Sequence, residues 1–243
     1  MTETMIKKPL PKVALTGSLE RGYSIWFVMV VALFVMSLLL SNIIAAKIIT
    51  VGGLALSAAI VIFPVSYIIG DVLTEVYGYR RARLVIWIGF LCNLLTVLVV
   101  SAVIALPPAP FWGHQQAYET VLGVAPRLMA ASLIAYLVGE FTNSYVLAKL
   151  KIATQGRWLW MRTISSTLIA QLLDTAIFTG VAFGGVHPMA TLAQIALAEW
   201  LAKTAYEAAA TPLTYLVVGF LKAREGVDVY DTDTRFNPFV VWE

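Results

Sequence analysis

The sequence has few of the residues that build disulfide-bonded, metal-binding or enzymatic sites. Cys92 is the only cysteine and falls within an apolar run, so neither an intrachain disulfide nor a thiolate metal site is predicted. The two histidines, His114 and His187, fall in predicted loops, and a lone histidine without a second ligand is typical of a solvated side chain. No serine–histidine, HExxH or paired-aspartate signature is present. We therefore predict no metal site, no cofactor and no enzymatic activity.

Charged residues are also scarce. They make up 13% of the 243 residues, against 60% hydrophobic residues, and the mean hydropathy is +0.83. This composition is typical of a polytopic membrane protein, with room for about six spans of some twenty residues. The first hydrophobic stretch is too long for a signal peptide and lacks a cleavage-like exit. The net charge of +3 follows loop sidedness, so the predicted partner is the lipid bilayer and not nucleic acid.

Six hydrophobic runs predict an all-α integral membrane protein with six transmembrane helices. They cover about residues 24–46, 54–77, 84–106, 127–150, 163–185 and 190–221. Gly52 and Gly53 predict a turn after the first span, and Pro64 is expected to bend the second. The long loop 107–126 is aromatic and is expected to lie at the membrane interface, and the last span is long enough to require a tilt or a bend at Pro212.

Basic residues lie mainly on one side of this arrangement. Of the 17 lysines and arginines, 14 fall in the N-terminal tail, after the second span, around residues 149–162 and in the C-terminal tail. By the positive-inside rule, both termini are predicted to be cytoplasmic. The predicted organisation is a basic tail over residues 1–22, a transmembrane domain over 23–222 and a second cytoplasmic tail over 223–243.

Polar residues within the spans are the candidates for function, because ionisable side chains are costly at that depth. Within each span they recur every three or four residues, which places them on one helix face. Asp174 lies about eleven residues, or roughly 17 Å of helix, into its span, near the bilayer centre. The set comprises Asp71, Glu75, Glu140, Asn143, Gln171, Asp174, Glu199, Lys203 and Glu207.

Structural roles for some of these residues are left open. Asp71 and Glu75 could cap a helix or pair with nearby arginines, and Glu199, Lys203 and Glu207 could form an ion triplet within one helix. Gln171 and Asn143 could join helices to one another, as amides often do in membrane bundles.

Two acids lack such a local explanation. Glu140 and Asp174 have no cation three or four residues away, so they need Lys203, a proton or a ligand. Aromatic rings share a helix face with three of the acids, since Tyr67, Tyr136 and Phe178 each lie four residues from one. A planar solute could stack on such a ring while it donates hydrogen bonds to a carboxylate.

Four blocks of sequence resemble a known family. They are SNIIAAKI (Ser41 to Ile48), FPVSYIIGDVLTEVYGYRRAR (Phe63 to Arg83), GEFTNSYVLAKLK (Gly139 to Lys151) and RTISSTLIAQLLDTAIF (Arg162 to Phe178). In this order they resemble the queuosine precursor transporter family, also called the vitamin uptake transporter family. The resemblance covers about Ser24 to Lys222. It implies a bacterial inner-membrane protein with six spans, similar in fold to the substrate-binding components of energy-coupling-factor vitamin importers.

The resemblance also implies a substrate. Members of the family import 7-deazaguanine precursors such as 7-cyano-7-deazaguanine and 7-aminomethyl-7-deazaguanine. Such a base has N1–H and an amine side by side for one carboxylate, Asp174 or Glu140, and an O6 atom for a donor on Gln171, Asn143 or Lys203. We predict that the substrate-binding residues are drawn from Asn42, Asp71, Glu75, Glu140, Asn143, Gln171, Asp174, Lys203 and Glu207.

Alternatives remain at this stage. The protein could be a substrate-binding subunit for another vitamin-like solute that needs a partner for transport, or, less in keeping with its motifs, an intramembrane enzyme. Small residues such as Ala45, Ala46 and Gly139 would allow close helix contacts within one protomer or across a homodimer. Proton coupling, facilitated diffusion and metabolic trapping are not distinguished by the sequence.

Overall fold

Seven α-helices and one β-hairpin make up the part of the chain that the computed structural model describes, which is residues 23–51, 54–123, 126–186 and 188–240. The prediction of a helical protein is confirmed. In chain order the elements are α1 (Ile25–Ile44), β1 (Ile48–Val51), β2 (Leu54–Ser57), a 3₁₀ turn (Ala58–Val61), α2 (Phe63–Val72), a π turn (Leu73–Tyr77), α3 (Tyr79–Ala105), α4 (Gln115–Leu122), α5 (Pro126–Ala153), α6 (Leu159–Phe183) and α7 (Met189–Glu225).

Long apolar helices lie where the hydropathy of the sequence predicts them. Within the described part of the chain, four runs are long and apolar enough to cross a membrane by length and composition, namely Ile25–Ile44, Tyr79–Ala105, Gln115–Ala153 and Leu159–Phe183. The third run takes in both α4 and α5. The chain is therefore a multi-pass membrane protein. Helix α2 is only 10 residues long and α7 carries Glu199, Lys203 and Glu207, so neither has the simple apolar pattern of the other spans.

The prediction of one continuous helix over residues 54–77 is wrong. Residues 54–57 instead pair with β1 in an antiparallel hairpin, with Ile48 opposite Ser57. Ser57 then ends the hairpin, because its hydroxyl donates to the Ala45 carbonyl oxygen at 3.0 Å and accepts from the Ala59 amide at 3.3 Å. The expected Gly52-Gly53 turn lies outside the described residues.

The predicted bend at Pro64 is also wrong, because Pro64 lies in the first turn of α2. A proline there costs no hydrogen bond, since the first amides of a helix have no intrahelical partner. The stretch predicted as the second span thus folds into the second strand of a hairpin, a 3₁₀ turn, a short helix and a π turn that is followed by Gly78.

Helix α7 runs without interruption through Pro212. Its 37 residues correspond to about 55 Å, well beyond the roughly 30 Å of a bilayer core. Pro212 has no amide hydrogen, so the helical hydrogen bond to the carbonyl oxygen four residues earlier is missing. The hydroxyl of the neighbouring Thr211 donates to the Glu207 carbonyl oxygen at 2.9 Å. The loop before α5 contains α4, and Phe111 and Trp112 in that loop are exposed, in keeping with the predicted interfacial segment.

The apolar core lies where α1, α2, the π turn, α3 and α7 meet. Phe34 of α1, Val72 of α2, Val76 of the π turn and Val85 of α3 are fully buried there. At one end of the bundle, the Phe27 ring of α1 packs edge-on against Tyr77 of the π turn at 5.0 Å. We call this end of the bundle the basic end, because the starts of α1, α3 and α6 and the ends of α5 and α7 lie there with their basic residues.

The C-terminal segment, residues 226–240, is packed against the basic end. Asp231 accepts the Tyr79 amide at 2.9 Å and thereby caps the start of α3. The buried Arg83 side chain donates to the carbonyl oxygens of Arg235 and Asn237 at 3.0 and 2.8 Å. Gly78 permits this packing, since its φ is +82° and a Cβ atom there would lie 2.6 Å from a Val229 methyl group.

Candidate functional site

A close crossing of α5 and α6 places two predicted site residues side by side. Where α5 passes α6, a Cβ atom on Gly139 would lie 3.2 Å from the Asp174 Cβ atom. The next residue of α5, Glu140, points its carboxylate over Gly70 of α2, with Oε2 3.2 Å from the position of a Cβ atom there. Glycine on α5 and on α2 therefore lets two acidic side chains approach one another inside the bundle.

Helix α7 contributes the cation of this region. The Lys203 ammonium group pairs with Asp174 Oδ2 at 3.2 Å, where the Lys203 side chain is partly exposed and Asp174 is largely buried. This pair joins α6 to α7. Of the three partners that the sequence allows for Asp174, which are Lys203, a proton and a ligand, the structure thus has Lys203. The alternative of an ion triplet within α7 does not hold among the described residues, because Lys203 pairs with Asp174 on another helix and Glu207 is buried with one oxygen that accepts no hydrogen bond.

A second connection joins α2 to α5. Asn143 Nδ2 donates to Asp71 Oδ1 at 2.6 Å, and both side chains are fully buried. Asp71 also interacts electrostatically with Glu207 of α7 and with Glu140. On the opposite side, the Gln171 amide of α6 lies against the Tyr67 hydroxyl of α2. We call this set the polar cluster, and it comprises Asp71, Glu140, Asn143, Gln171, Asp174, Lys203 and Glu207.

The polar cluster is rich in hydrogen-bond acceptors that nothing in the described chain satisfies. Four carboxylate or amide oxygens are buried without a partner: Asp71 Oδ2, Asn143 Oδ1, Gln171 Oε1 and Glu207 Oε1. Buried polar atoms in native proteins nearly always have partners, so such a group of acceptors calls for a ligand, a proton or water. The arrangement can therefore bind a small solute that presents several N–H donors.

Threonines with buried hydroxyl oxygens also lie on α6 and α7, the helices that carry Gln171 and Lys203. Thr167, Gln171 and Thr175 recur every four residues and lie on one buried face of α6, and Thr204 lies on α7. The three hydroxyl oxygens have no hydrogen-bond partner among the described residues. Sequence reasoning missed these threonines, although their spacing around Gln171 was a usable signal.

Glu75 lies in a different environment. Its carboxylate accepts from Arg162 at 2.9 Å and from Lys222 at 2.7 Å, and Lys151 lies 3.7 Å away. These cations come from α5, α6 and α7, not from the arginines near Glu75 in the sequence. Breaking a buried ion pair by removing one partner typically costs 3–5 kcal/mol, so the arrangement joins the helices at the basic end. Sequence reasoning missed all three partners, because no spacing rule connects them to Glu75.

The C-terminal segment completes this ionic group. Asp228 pairs with Lys151 at 2.5 Å and with Lys222 at 2.9 Å. Partial burial alone would raise the pKa of Asp228, but the hydrogen bonds and attraction from the two lysines outweigh it and hold the pKa below its usual value. The negative charge on Asp228 is therefore favoured in the folded protein at neutral pH.

Asn42 also has a partner of its own. Its amide nitrogen donates to Asn93 Oδ1 of α3 at 2.7 Å, within a small cavity of about 50 Å³ between α1, α3 and α4. A larger apolar groove of about 300 Å³ lies between α1 and α7, where Trp26 and Phe220 line it. Neither space is lined by the polar cluster, and Asn42 makes none of its described contacts with that cluster.

The aromatic residues predicted beside the acids are arranged unequally. Tyr67 is buried next to Gln171, Glu140 and Asp174. The Tyr136 hydroxyl donates to the Ile86 carbonyl oxygen at 3.0 Å, and Phe178 packs edge-on against Phe183. Of these three aromatic residues, Tyr67 is therefore the one whose side chain hydrogen-bonds a residue of the cluster, Gln171.

The described residues contain no group of three or more histidine, cysteine or acidic side chains arranged to hold a metal ion. His114 lies edge-on to the Trp112 ring at 5.7 Å, and His187 is outside the described residues.

Comparison with known proteins places the chain in a family of transporters. The model of a family described as "Putative vitamin uptake transporter" matches residues 57–217. A protein of Bacillus subtilis named "Probable queuosine precursor transporter" is 33% identical over 176 residues, which are 72% of this chain and 77% of that protein.

Two further relatives match over shorter stretches. "Queuosine precursor transporter" of Escherichia coli is 26% identical over 121 residues, covering 50% of this chain and 52% of its own length. A Haemophilus influenzae protein named "Probable queuosine precursor transporter" is 26% identical over 121 residues, covering 50% of this chain and 49% of its own length. No solved structure matches the chain. The family match over residues 57–217 includes every residue of the polar cluster, and the chain belongs to the queuosine precursor transporter family, also described as the vitamin uptake transporter family.

Proposed function

We propose that this protein is a bacterial inner-membrane transporter that imports queuosine precursors of the 7-deazaguanine class. The observation that carries the proposal is the polar cluster, in which α2, α5, α6 and α7 bring buried acids and amides together inside a membrane protein. Its relatives in Bacillus subtilis, Escherichia coli and Haemophilus influenzae are named as queuosine precursor transporters. Intramembrane ionisable groups that face a bundle interior are typical of solute pathways.

The unpaired acceptors of the cluster match the donors of the proposed substrate. A 7-deazaguanine carries N–H donors at N1, at the exocyclic amine and at N9, and it lacks the N7 acceptor of guanine. Glu140 is nearly fully buried and has no hydrogen bond or ion pair among the described residues, so it is the proposed acceptor of N1–H and the amine. The free oxygens of Gln171 and Asn143 supply further acceptors.

A donor and a ring complete the proposed site. Lys203 reaches Asp174 from α7, and its ammonium group has three hydrogens, so it can donate to the substrate O6 while it keeps the ion pair. Tyr67 is proposed to stack on the planar base. In this proposal Asp174 orients Lys203, and Glu75 and Asn42 lie outside the substrate contacts because each is engaged elsewhere.

Six membrane crossings with both termini cytoplasmic remain our proposed topology. Three helix starts, two helix ends and the π turn converge at the basic end, as an alternating up-and-down path requires. The segments rich in lysine and arginine lie at that end, which supports a cytoplasmic location. Residues 23–222 would then form the transmembrane domain, with α2 and its π turn as the second crossing and α7 as the sixth.

Uptake in cells tests the proposal. Bacteria unable to make 7-deazaguanines should take up labelled 7-cyano-7-deazaguanine with this protein and not without it. Glu140→Gln and Asp174→Asn should lower uptake by about tenfold or more, since a hydrogen bond to a charged group contributes about 1.5–3 kcal/mol. The matched control is Glu199→Gln on α7, which removes a half-buried carboxylate without a described ion pair.

Three outcomes would count against parts of this account. Near-normal uptake by both variants at normal expression would remove Glu140 and Asp174 from the site. Tight binding without flux in reconstituted liposomes would favour a substrate-binding subunit, and formation of a chemical product by the purified protein would favour an enzyme.

A further inference from the structure

Carboxyl groups outnumber cations in the polar cluster. Asp71, Glu140, Asp174 and Glu207 are all buried, whereas Lys203 is the cation among them and is paired with Asp174. Asp71, Glu140 and Glu207 form no ion pair among the described residues. Since an unpaired ionised carboxylate is strongly disfavoured inside a protein or a membrane, the cluster needs protons or a cationic partner to be stable.

Asp71 and Glu207 stand out among these acids. Asp71 is 0% exposed on α2 and Glu207 is 2% exposed on α7, and these two helices pack against each other inside the bundle. The electrostatic interaction between the two carboxyl groups agrees with this packing. Each has one oxygen that accepts no hydrogen bond, Oδ2 on Asp71 and Oε1 on Glu207. Two ionised carboxylates in one buried cluster repel each other and have four acceptor oxygens but no donor. A proton on either of them lowers this repulsion and supplies a donor.

The other charged groups around the pair do not remove this need. Asp71 faces Glu140 from α5, and Glu75 from the π turn is already neutralised by Arg162 and Lys222. Helix α1, which also packs against α2, has no titratable side chain. From α6, Asp174 is paired with Lys203 of α7, so these two opposite charges offset each other and add little net charge near the pair.

We propose that Asp71 and Glu207 together bind a transported proton, and that precursor import is coupled to proton entry. This inference rests on the proposed function. The pair takes one proton from the outer side and releases one proton to the cytoplasm in each cycle, so charge and mass balance with one solute carried. Asn143 links the pair to the substrate, because its nitrogen donates to Asp71 and its oxygen is one of the free acceptors of the site.

Proteoliposomes test the coupling. The probe is 7-cyano-7-deazaguanine, which is neutral and brings no charge of its own, and the membrane potential is clamped with valinomycin and equal potassium concentrations. With one proton per solute, a pH gradient of one unit, alkaline inside, should drive about tenfold accumulation, and a protonophore should abolish it. A dye in the lumen should report acidification when substrate enters.

The transport results separate the inference from the function on which it rests. Uptake by the wild-type protein that ignores the pH gradient and leaves the lumen unchanged would overturn proton coupling and keep the transporter. No uptake under any gradient would contradict the proposed function itself. Accumulation by Asp71→Asn and by Glu207→Gln should no longer respond to the pH gradient, whereas accumulation by Glu199→Gln should respond as that of the wild-type protein does. A full response in Asp71→Asn or in Glu207→Gln would overturn the assignment of the proton site to that residue.

Infrared spectroscopy tests the proton directly and needs no transport. The purified protein at neutral pH should show the carbonyl stretch of a protonated carboxylic acid, and this band should be lost or shifted in Asp71→Asn and in Glu207→Gln. Glu199→Gln serves as the control and should leave it unchanged. A spectrum in which neither pair variant alters the band would overturn the proposed proton site, and either variant alone suffices if the other fails to fold.

Discussion

Replacing Glu75 with glutamine should weaken the fold more than it weakens substrate recognition. The Glu75 carboxylate is fully buried and joins Arg162 and Lys222 at 2.9 and 2.7 Å, with Lys151 at 3.7 Å. Loss of one partner from a buried ion pair costs about 3–5 kcal/mol, and Asp228 remains as a counter-ion for two of the cations. We therefore expect a loss near the lower end, ~3 kcal/mol. For a chain of this size that corresponds to roughly 6–12 °C in the melting temperature.

The assay is thermal unfolding of purified Glu75→Gln in detergent, followed by tryptophan fluorescence at one scan rate. Glu199→Gln is the matched control, because it makes the same chemical change at a half-buried position, and it should melt like the wild-type protein. At a temperature where Glu75→Gln is folded, its affinity for 7-cyano-7-deazaguanine should stay close to that of the wild type. A variant that melts normally but fails to bind would refute the reasoning and return Glu75 to the substrate site.

Two further predictions concern the C-terminal segment. Gly78→Ala should destabilise the protein by at least about 2 kcal/mol, because φ of +82° with ψ of 165° is a conformation that essentially only glycine adopts and the new methyl group would meet Val229. Gly219→Ala, at a helical position with open space around it, should be neutral or mildly stabilising, and equal melting of the two variants would contradict this. Asp228→Asn should lower the melting temperature at pH 7 only slightly, because a partly exposed ion pair contributes ~1 kcal/mol or less to the free energy of unfolding. Since the folded pKa of Asp228 is depressed, its contribution is complete above the ordinary aspartate pKa and is lost as pH falls through the folded value. The difference between wild type and variant should therefore begin to shrink below about pH 4 and vanish below the folded pKa, and a difference that stays constant over this range would contradict the ion pair.

Hydropathy predicted most of the helices because a long apolar run has few alternatives to a membrane helix. α1, α3, α5 and α6 fall on the predicted spans with shifts of a few residues at their ends. The prediction of the second span was wrong for a local reason. Residues 54–57 are apolar enough for a helix, but they form a strand that ends at Ser57, whose hydroxyl donates to the Ala45 carbonyl oxygen. Pro64 then lies in the first turn of the helix that follows.

Spacing along single helices predicted the membership of the polar cluster but not its pairings. The i, i+4 rule finds Gln171 and Thr175 on one face, yet it says nothing of which neighbouring helix that face meets. The Lys203–Asp174 pair was one of several alternatives from sequence, and the partners of Glu75 come from positions up to 147 residues away.

The packing of the C-terminal segment had no signal in the sequence at all. Much of it is made by main-chain carbonyl groups, which every residue has, so composition cannot reveal that Arg83 and Trp87 donate to them.

An experimental structure of the protein with 7-cyano-7-deazaguanine bound tests the central claim most directly. The account predicts the base between α2, α5, α6 and α7, with its N1–H edge on Glu140, its O6 within hydrogen-bond distance of Lys203 and its plane against Tyr67. A base bound instead in the apolar groove between α1 and α7, or beside Asn42 and Asn93, would contradict the account.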